Sequence, residues 1–598
     1  MGRKEDMVAL AEQLMANQVN IRNIGIVAHI DHGKTTMTDN LVAAAGIINP
    51  ELAGKVQFMD YYALEQERGI TINAANISLV HAIGDQKYLI NVIDTPGHID
   101  FGGEVIRAMR AVDGVIVVVD AVEGCMPQTE TVIRQALKEN VKPTLFINKV
   151  DRIVTEMRET LEQMQERFVK VIAQVNVLIK NNTPKEVNEP WTVDVKNGSV
   201  CFGSSKGNWA LSFDTMQKNN LKFKDVYDYC KDGKQAEFKK ISPLHEAILG
   251  MVVKHLPNPR KAQVYRIPKI WKGDPESKAG KSMMLCDPNG TFSMMVSDVS
   301  VDPHAGDVAT GRIYSGTLQK GLKIKLVGSK KEILVQQAAL YMGAERITID
   351  RVPCGNIAAL IGLKEVQAGE TISDEEIPEF EAFMSNTVPV MTVSVEAKNP
   401  KDLPKLIEVI RQITKEDPNI QANINQETGE HLLSGMGELH LEVTEYRIKV
   451  DHKLDILVGQ PIVVYRETIT GTSPVVEGKS PNKHNKFKFS CTQIPTEILN
   501  KLIEAKFDER KVKTKDKELQ LELQAMGFEK EESKTVWAIY GNNILINKTK
   551  GIQNLNETQE LVIQGFKDAI NDGPQAKEKV MGVKVYLEDA TLHEDAIH

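Results

Sequence analysis

One segment constrains this chain more than any other. Residues 22–36 read RNIGIVAHIDHGKTT. The apolar run from Ile24 to Ala28 reads as a buried strand, and Lys34-Thr35-Thr36 opens a helical pattern through Leu41 and Val42. Strand, polar turn and helix in that order belong to an α/β sheet. The turn Ala28-His29-Ile30-Asp31-His32-Gly33-Lys34-Thr35 has the spacing of a phosphate-binding loop, with Ala in place of the first Gly. Loop N–H groups and a helix N-terminus point at phosphate oxygens there. Lys34 reaches the β- and γ-phosphates, and the Thr35 hydroxyl suits Mg²⁺. Taken alone, the string also fits a surface turn before a helix.

Later segments favour the phosphate reading. Residues 89–98, LINVIDTPGH, are a strand ending in Asp94, a Thr95-Pro96-Gly97 turn and then His98. Asp94 is placed to hold Mg²⁺ through water, the Gly97 N–H to meet a γ-phosphate, and His98 to orient an attacking water. Further strands, GVIVVVD (114–120) and PTLFIN (143–148), lead to Asn148-Lys149-Val150-Asp151. A carboxylate at Asp151 accepts from the guanine N1–H and exocyclic amine, a donor pair that adenine lacks. Asn148 meets the ring's other edge and the Lys149 stem covers a face. The base is therefore expected to be guanine. Glu67-Arg68-Gly69-Ile70-Thr71-Ile72 offers Thr71 as a Mg²⁺ ligand that senses the γ-phosphate, the order–disorder switch of GTPases. In isolation it fits a loop entering a strand equally well. Near Cys201, the short run Ser204-Ser205-Lys206 is placed to cap the guanine.

AHIDHGKTT, QERGITI, DTPGHIDF, NKVD and FGSSK, in this order, resemble the translational GTPases. EGKSPNKHN (477–485) and the final LHEDAIH (592–598) narrow the resemblance to the elongation factor 2 family, in its archaeal form. The resemblance implies a ribosome-stimulated, cytoplasmic GTPase that uses GTP and Mg²⁺ to move tRNA and mRNA. It implies contact with ribosomal RNA and with the tRNA–mRNA pair in the decoding region. It also implies that His598 is the histidine modified to diphthamide. In the family the chain continues past this motif. Residues 467–598 are thus expected to be an incomplete fourth domain, with the strand Val583–Leu587 short of partners and a fifth domain absent. Translocation would then need a further C-terminal part, supplied by a second chain or by continuation of an interrupted precursor. The alternative is a truncated ribosome-binding GTPase with a regulatory or rescue role.

The remaining chain reads as follows. Dividing 598 residues by ~150 per domain gives roughly four. The expected fold is multidomain α/β and β: a doubly wound GTP-binding domain (1–261), a small β-barrel (262–380), a ferredoxin-like α+β domain (381–466) and the incomplete α+β fourth domain. Residues 153–180 place Met157, Leu161, Met164, Phe168, Val171, Val175 and Leu178 on one face of a single core helix. Strands alternate with short turns from about 262. Residues 388–458 follow β-α-β-β-α-β order. Within them Glu438 and His440 read as a solvated helix face, with no metal. GKSPNKHNKFKF (478–489) holds four lysines and no acid, a pattern that suits phosphates but is also common on solvated loops.

Composition excludes several classes. The balance of 73 basic and 81 acidic residues, net −8, rules out a polycation that coats nucleic acid. Six scattered cysteines with no C-x-x-C pair exclude a disulfide scaffold and a cysteine zinc site, and suit a reducing cytosol. The charged, amphipathic start has no apolar signal region, and the longest apolar run, near Val115–Val119, is too short for a bilayer. The chain is expected to be monomeric apart from these partners.

Overall fold

The computed structural model describes residues 3–48, 58–60, 62–183, 191–302, 306–342, 345–363, 366–381, 383, 389–424, 431–463, 465–480, 483–505, 507, 512, 516–552 and 555–593. The chain forms two compact units, Met1–Phe383 with Ser394–Gly459, and Met384–Val393 with Gln460–His598. Among the described residues no helix is long and apolar enough to cross a membrane.

The first part of the larger unit runs α1 (Arg3–Met15), β1 (Ile21–Ala28), α2 (Lys34–Ala44), α3 (Ala63–Arg68), β2 (Ala75–Ile83), β3 (Gln86–Asp94), α4 (Gly102–Ala111), β4 (Gly114–Asp120), α5 (Pro127–Lys138), β5 (Lys142–Asn148), α6 (Val150–Thr155), α7 (Leu161–Asn182), β6 (Val200–Ser204) and β7 (Trp209–Leu211). The strands lie in the order β2-β3-β1-β4-β5-β6-β7, parallel except at the two edges. Near-continuous Val/Ile runs suit strands buried on both faces. Val27, Val115, Val117 and Val119 face α4, α5 and α7, while Ile24, Ile26, Ile116 and Val118 face α2 and the helix Leu244–His255. The chain crosses to β3 on one side of β1 and to β4 on the other, so the crevice for a ligand lies beyond the carboxyl ends at that switch. Ile26 pairs with Asp94, Ala28 with Val118, and Asp120 with Asn148, which brings the motif-bearing strand ends to one edge.

Two sequence expectations fail here. Residues 153–180 are not one helix: α6 stops at Thr155 and α7 starts at Leu161. Arg158 takes φ +56°, and the Thr160 hydroxyl accepts the Gln163 N–H in a reciprocal capping box, so a new helix begins there. Met157 consequently lies exposed, while Met164, Phe168, Val171 and Val175 are buried. Strands also do not begin at 262. Residues Pro259–Ile270 and Lys278–Leu285 are helices, and the first strand of the next domain is Ser293–Asp302. Asn258 caps the first of these by accepting the Lys261 N–H, with Pro259 at its first position. Its buried Arg266 donates to the carbonyls of Met109 (3.0 Å) and Arg110 (3.1 Å) and pairs with Asp113 at 3.2 Å.

From Ser293 to Ser373, antiparallel strands wrap one core containing Met294, Val296, Ala309, Ile324, Val335, Leu340 and Leu360, a barrel-like arrangement. The ferredoxin-like order is present as Met391–Ala397, Leu403–Glu416, Gln421–Ile424, His431–Gly435, Glu438–Tyr446 and Ile456–Val458. In the smaller unit a five-stranded sheet corrects a third expectation. The strand Val583–Thr591 is central, antiparallel to Lys486–Gln493 and parallel to Asn543–Asn547. The sheet edges fall instead on Val476–Lys479 and Val536–Tyr540.

Candidate functional site

A cleft of about 510 Å³ opens at the carboxyl ends of the parallel strands. It is lined by His29, Ile30, Asp31, Gly33, Lys34, Thr35, Thr71, Gly97, His98, Asn148, Lys149, Asp151, Ser204, Ser205 and Lys206 from the sequence reading. Ala28, His32, Asp94, Thr95, Pro96 and Val150 are buried and do not line it. His32 is buried, its ring nitrogens meeting the Asp120 N–H at 3.2 Å and Glu123 at 3.2 Å, and the Thr95 hydroxyl donates to the Ile26 carbonyl at 2.7 Å. Gly33, at φ +86°, cannot be replaced freely, because a Cβ there would lie 2.4 Å from Asn148 Nδ2. Asn148 ties one side of the cleft together. Its amide donates to the His32 carbonyl at 2.8 Å and its Oδ1 accepts the Ser205 N–H at 2.8 Å. The Lys149 ammonium pairs with Asp120 at 2.9 Å. Burial raises the pKa of Asp151, against a hydrogen bond from Ser204 and the nearby Lys206 charge.

On the other side, Lys34 Nζ lies 3.0 Å from both the Thr71 hydroxyl and Asp94 Oδ1. The Thr35 and Thr71 hydroxyls are 3.0 Å apart, and Thr71 donates to Asp60 at 2.9 Å. Burial pushes Asp94 up to about 6, against the pull of Lys34. Burial and the Asp94 charge push Asp39 up to about 7. Two carboxylates, Asp94 and Asp60, thus share one ammonium with Asp39 adding its charge nearby, and Asp94 Oδ2 is buried with no hydrogen-bond partner among the described residues. That donor set, two hydroxyls beside an under-compensated carboxylate, fits a hard divalent cation. Sequence reasoning missed Asp60, Asp39, Arg152 and Glu156. Asp60 precedes the recognisable QERGITI string and has no spacing signal of its own. His598 lies outside the described residues.

The cleft rests on the ferredoxin-like domain. Leu64, Ile70, Ile72 and Phe101 pack against Leu439, Val443 and Tyr446. Arg68 pairs with Glu442 at 3.1 Å, and the Tyr62 hydroxyl donates to Asp451 at 2.8 Å. His440 is not on a solvated face as expected. It is 2% exposed and its Nε2 lies 2.7 Å from Asp417, because the face of its helix turned toward the GTP-binding domain is covered. Glu438 is exposed as expected.

In the smaller unit the basic segment forms a hairpin, Val476–Lys479 with Lys486–Gln493. Its charge is partly balanced: Lys488 pairs with Asp589 at 3.0 Å and Lys479 with Glu477 at 3.6 Å. The hairpin tip meets the end of the described chain, where Asn485 accepts the His593 N–H at 3.0 Å and the His484 and His593 rings stand 5.5 Å apart.

Comparison with known proteins agrees with this geometry. Residues 19–258 match the elongation factor Tu GTP binding domain, 306–373 elongation factor Tu domain 2, 387–460 elongation factor G domain III, and 505–598 elongation factor G domain IV. The elongation factors 2 of Methanosphaera stadtmanae and Thermococcus kodakarensis are each 54% identical to this chain, over all of it and over 82% of their own length. That of Methanocaldococcus jannaschii is 54% identical over all of this chain and 83% of its own. With motif order, fold and full-length similarity in agreement, the chain belongs to the elongation factor 2 family of translational GTPases.

Proposed function

We propose that the cleft binds GTP with Mg²⁺ and hydrolyses it while the protein is docked on the ribosome, and that this step drives movement of the tRNA–mRNA pair. The convergence of Lys34, Thr35, Thr71 and Asp94 on one point carries this reading. Loop N–H groups from 29–35 cradle the phosphates, and Lys34 leaves Thr71 to meet the β- and γ-oxygens. Thr35, Thr71 and, through water, Asp94 would hold Mg²⁺, whose charge offsets that developing on the phosphate oxygens. The Gly97 N–H meets the γ-phosphate. Asn148 fixes the loop that carries Ser204-Ser205-Lys206 against the base, and Asp151 accepts from guanine. His98 orients the water. Phosphoryl transfer of this kind is positioning and electrostatics, so isolated turnover is slow, and a partner that completes such a site raises it by ~10³–10⁵ in related GTPases. The ribosome is that partner here. After hydrolysis the 67–72 segment relaxes. The lysines of the hairpin at 476–493, Lys479, Lys486 and Lys488 among them, support contact with RNA, because they present positive charge on one segment.

Base selection tests the site. Asp151→Asn replaces an acceptor by a donor toward the guanine N1–H and amine. Losing charged hydrogen bonds worth about 1.5–3 kcal/mol lowers GTP affinity roughly 10- to 100-fold relative to wild type. Titration with a fluorescent GTP analogue reads this directly, and an unchanged dissociation constant overturns the assignment of Asp151.

A further inference from the structure

Asp100 follows the hydrolytic histidine by two residues and joins two domains. Its backbone N–H donates to His98 Nδ1 at 3.2 Å, and its Oδ1 lies 3.4 Å from the same nitrogen. Its other oxygen, Oδ2, accepts the backbone N–H of His440 at 3.4 Å. His440 is the third residue of the helix Glu438–Tyr446, whose N-cap is Gly437. A glycine has no side chain to accept that N–H, the bond an N-cap Asp ordinarily makes. Asp100 supplies it from the GTP-binding domain. The fit is close, since a Cβ on Gly437 would lie 2.3–2.5 Å from the Asp100 carboxylate.

Neighbouring contacts hold the same junction. A Cβ on Gly103, at the start of α4, would lie 2.0 Å from the Asn419 amide of the ferredoxin-like domain. The Phe101 ring stands edge-on to both His98 (6.2 Å) and His440 (5.7 Å). His440 is itself fixed, because its Nδ1 accepts the Met436 N–H at 3.2 Å and its Nε2 faces Asp417 at 2.7 Å. The helix that Asp100 caps is therefore a rigid reference, and it belongs to another domain.

We propose that Asp100 is a positioning residue: its carboxylate caps the helix Glu438–Tyr446 in trans and so holds the 98–100 turn, whose Asp100 backbone N–H fixes the ring of His98, so that the seating of the ferredoxin-like domain is read at the hydrolytic side chain. This rests on the reading of His98 as the residue that orients water. With Nδ1 committed to the 98–100 turn, Nε2 is the ring nitrogen left for the substrate side. A shift of the helix by about one ångström breaks the cap and frees the turn, and misplacement on that scale can cost about 100-fold in rate.

The test is ribosome-stimulated GTP hydrolysis by the full chain, with kcat and KM measured separately. Asp100→Ala lowers kcat by about 10- to 100-fold and leaves KM for GTP within about twofold, since no GTP contact is assigned to Asp100. Asp100→Asn keeps an acceptor for the His440 N–H and recovers most of the loss. Gly437→Ala, with His98 and Asp100 both intact, reproduces the loss because its methyl takes the place of the carboxylate. It carries the test if Asp100→Ala folds poorly. In a His98→Ala background Asp100→Ala adds nothing. Wild-type kcat in both Asp100→Ala and Gly437→Ala, beside an inactive His98→Ala, overturns the inference and leaves the reading of His98 standing. An additive loss in the double variant overturns it as well, because Asp100 would then act independently of His98. If His98→Ala keeps full stimulated turnover, the reading of His98 falls, and the inference with it.

Discussion

Burial pushes the pKa of the Asp417 carboxylate up. The hydrogen bond from His440 and the Arg107 charge outweigh burial and hold its pKa below the ordinary carboxylate range. A depressed folded pKa contributes stability that is fully present above the unfolded value, about 3.9, and is lost as pH falls through the folded value. Asp417→Asn is therefore expected to be less stable than wild type by about 1.5–3 kcal/mol at pH 7. The gap should close as the solution is acidified below about pH 4. Urea unfolding across that range measures it, and a gap that stays constant with pH removes the ionised Asp417 as its source. Residues of this kind mark the limit of what a sequence shows. Lys34, Thr35, Asp94, Asn148 and Asp151 come together because the contiguous strings that carry them end neighbouring parallel strands, a proximity that a sequence with those motifs makes legible. Asp417, Asp60 and Asp100 gain their roles from residues tens to hundreds of positions away, and His440 looked like one polar residue on an ordinary helix.

At the scale of elements, the break between α6 and α7 shows what periodicity hides. Met157, Leu161, Met164 and Phe168 fit one helical stripe, and that fit masked a stop. The competing signal was Thr160-x-x-Gln163, a capping box that starts a helix wherever it stands. In the structure Thr160 accepts the Gln163 N–H and Gln163 reaches back to the Thr160 N–H at 2.8 Å. Thr160→Ala removes one of these bonds and should cost about 1 kcal/mol, read as a lower urea midpoint with unchanged GTP affinity. A variant that keeps the break and loses no stability would mean that the break is set by Arg158 and not by the cap. The strands expected from about 262 give way to the helix Pro259–Ile270 for the opposite reason. Asn258-Pro259 is a good helix start, but a helix that buries Gln263 and Arg266 has no apolar stripe to find. The expected strand Val583–Leu587 runs on to Thr591 and has neighbours on both sides, because periodicity identifies a strand without naming its neighbours. Its parallel partner Asn543–Asn547 is reached only across the helix Leu555–Asn571.

For the larger unit, the order of domains was legible and their docking was not. The domains follow one another as their motifs do along the chain, but they are held by buried charge. Asp113, at the start of β4, receives Arg266 at 3.2 Å and Arg312 at 2.9 Å, one from the helix after the GTP-binding domain and one from the barrel-like domain. Arg107 does the same between three domains. It is 4% exposed, pairs with Glu104 on its own helix and with Asp417 of the ferredoxin-like domain at 3.9 Å, and feels the charge of Asp298 in the barrel-like domain. Burial pushes Glu104 up to about 7 even beside this guanidinium, so the junction carries more anion than one cation balances. Removing the cation leaves buried carboxylates uncompensated, a loss of about 3–5 kcal/mol where one partner of a buried pair is deleted. Arg107→Met keeps the bulk of the side chain and removes only its charge. It should loosen the ferredoxin-like domain while sparing the cleft residues, none of which touches Arg107. Calorimetry should then resolve an early transition, and limited proteolysis should cut first between 384 and 460, with GTP binding retained. Ribosome-stimulated turnover should fall at the same time, because the helix that Asp100 caps would no longer be held in place. One cooperative transition at the wild-type temperature would mean that apolar contacts, such as Phe101 against Val443, hold the domains together without the charges.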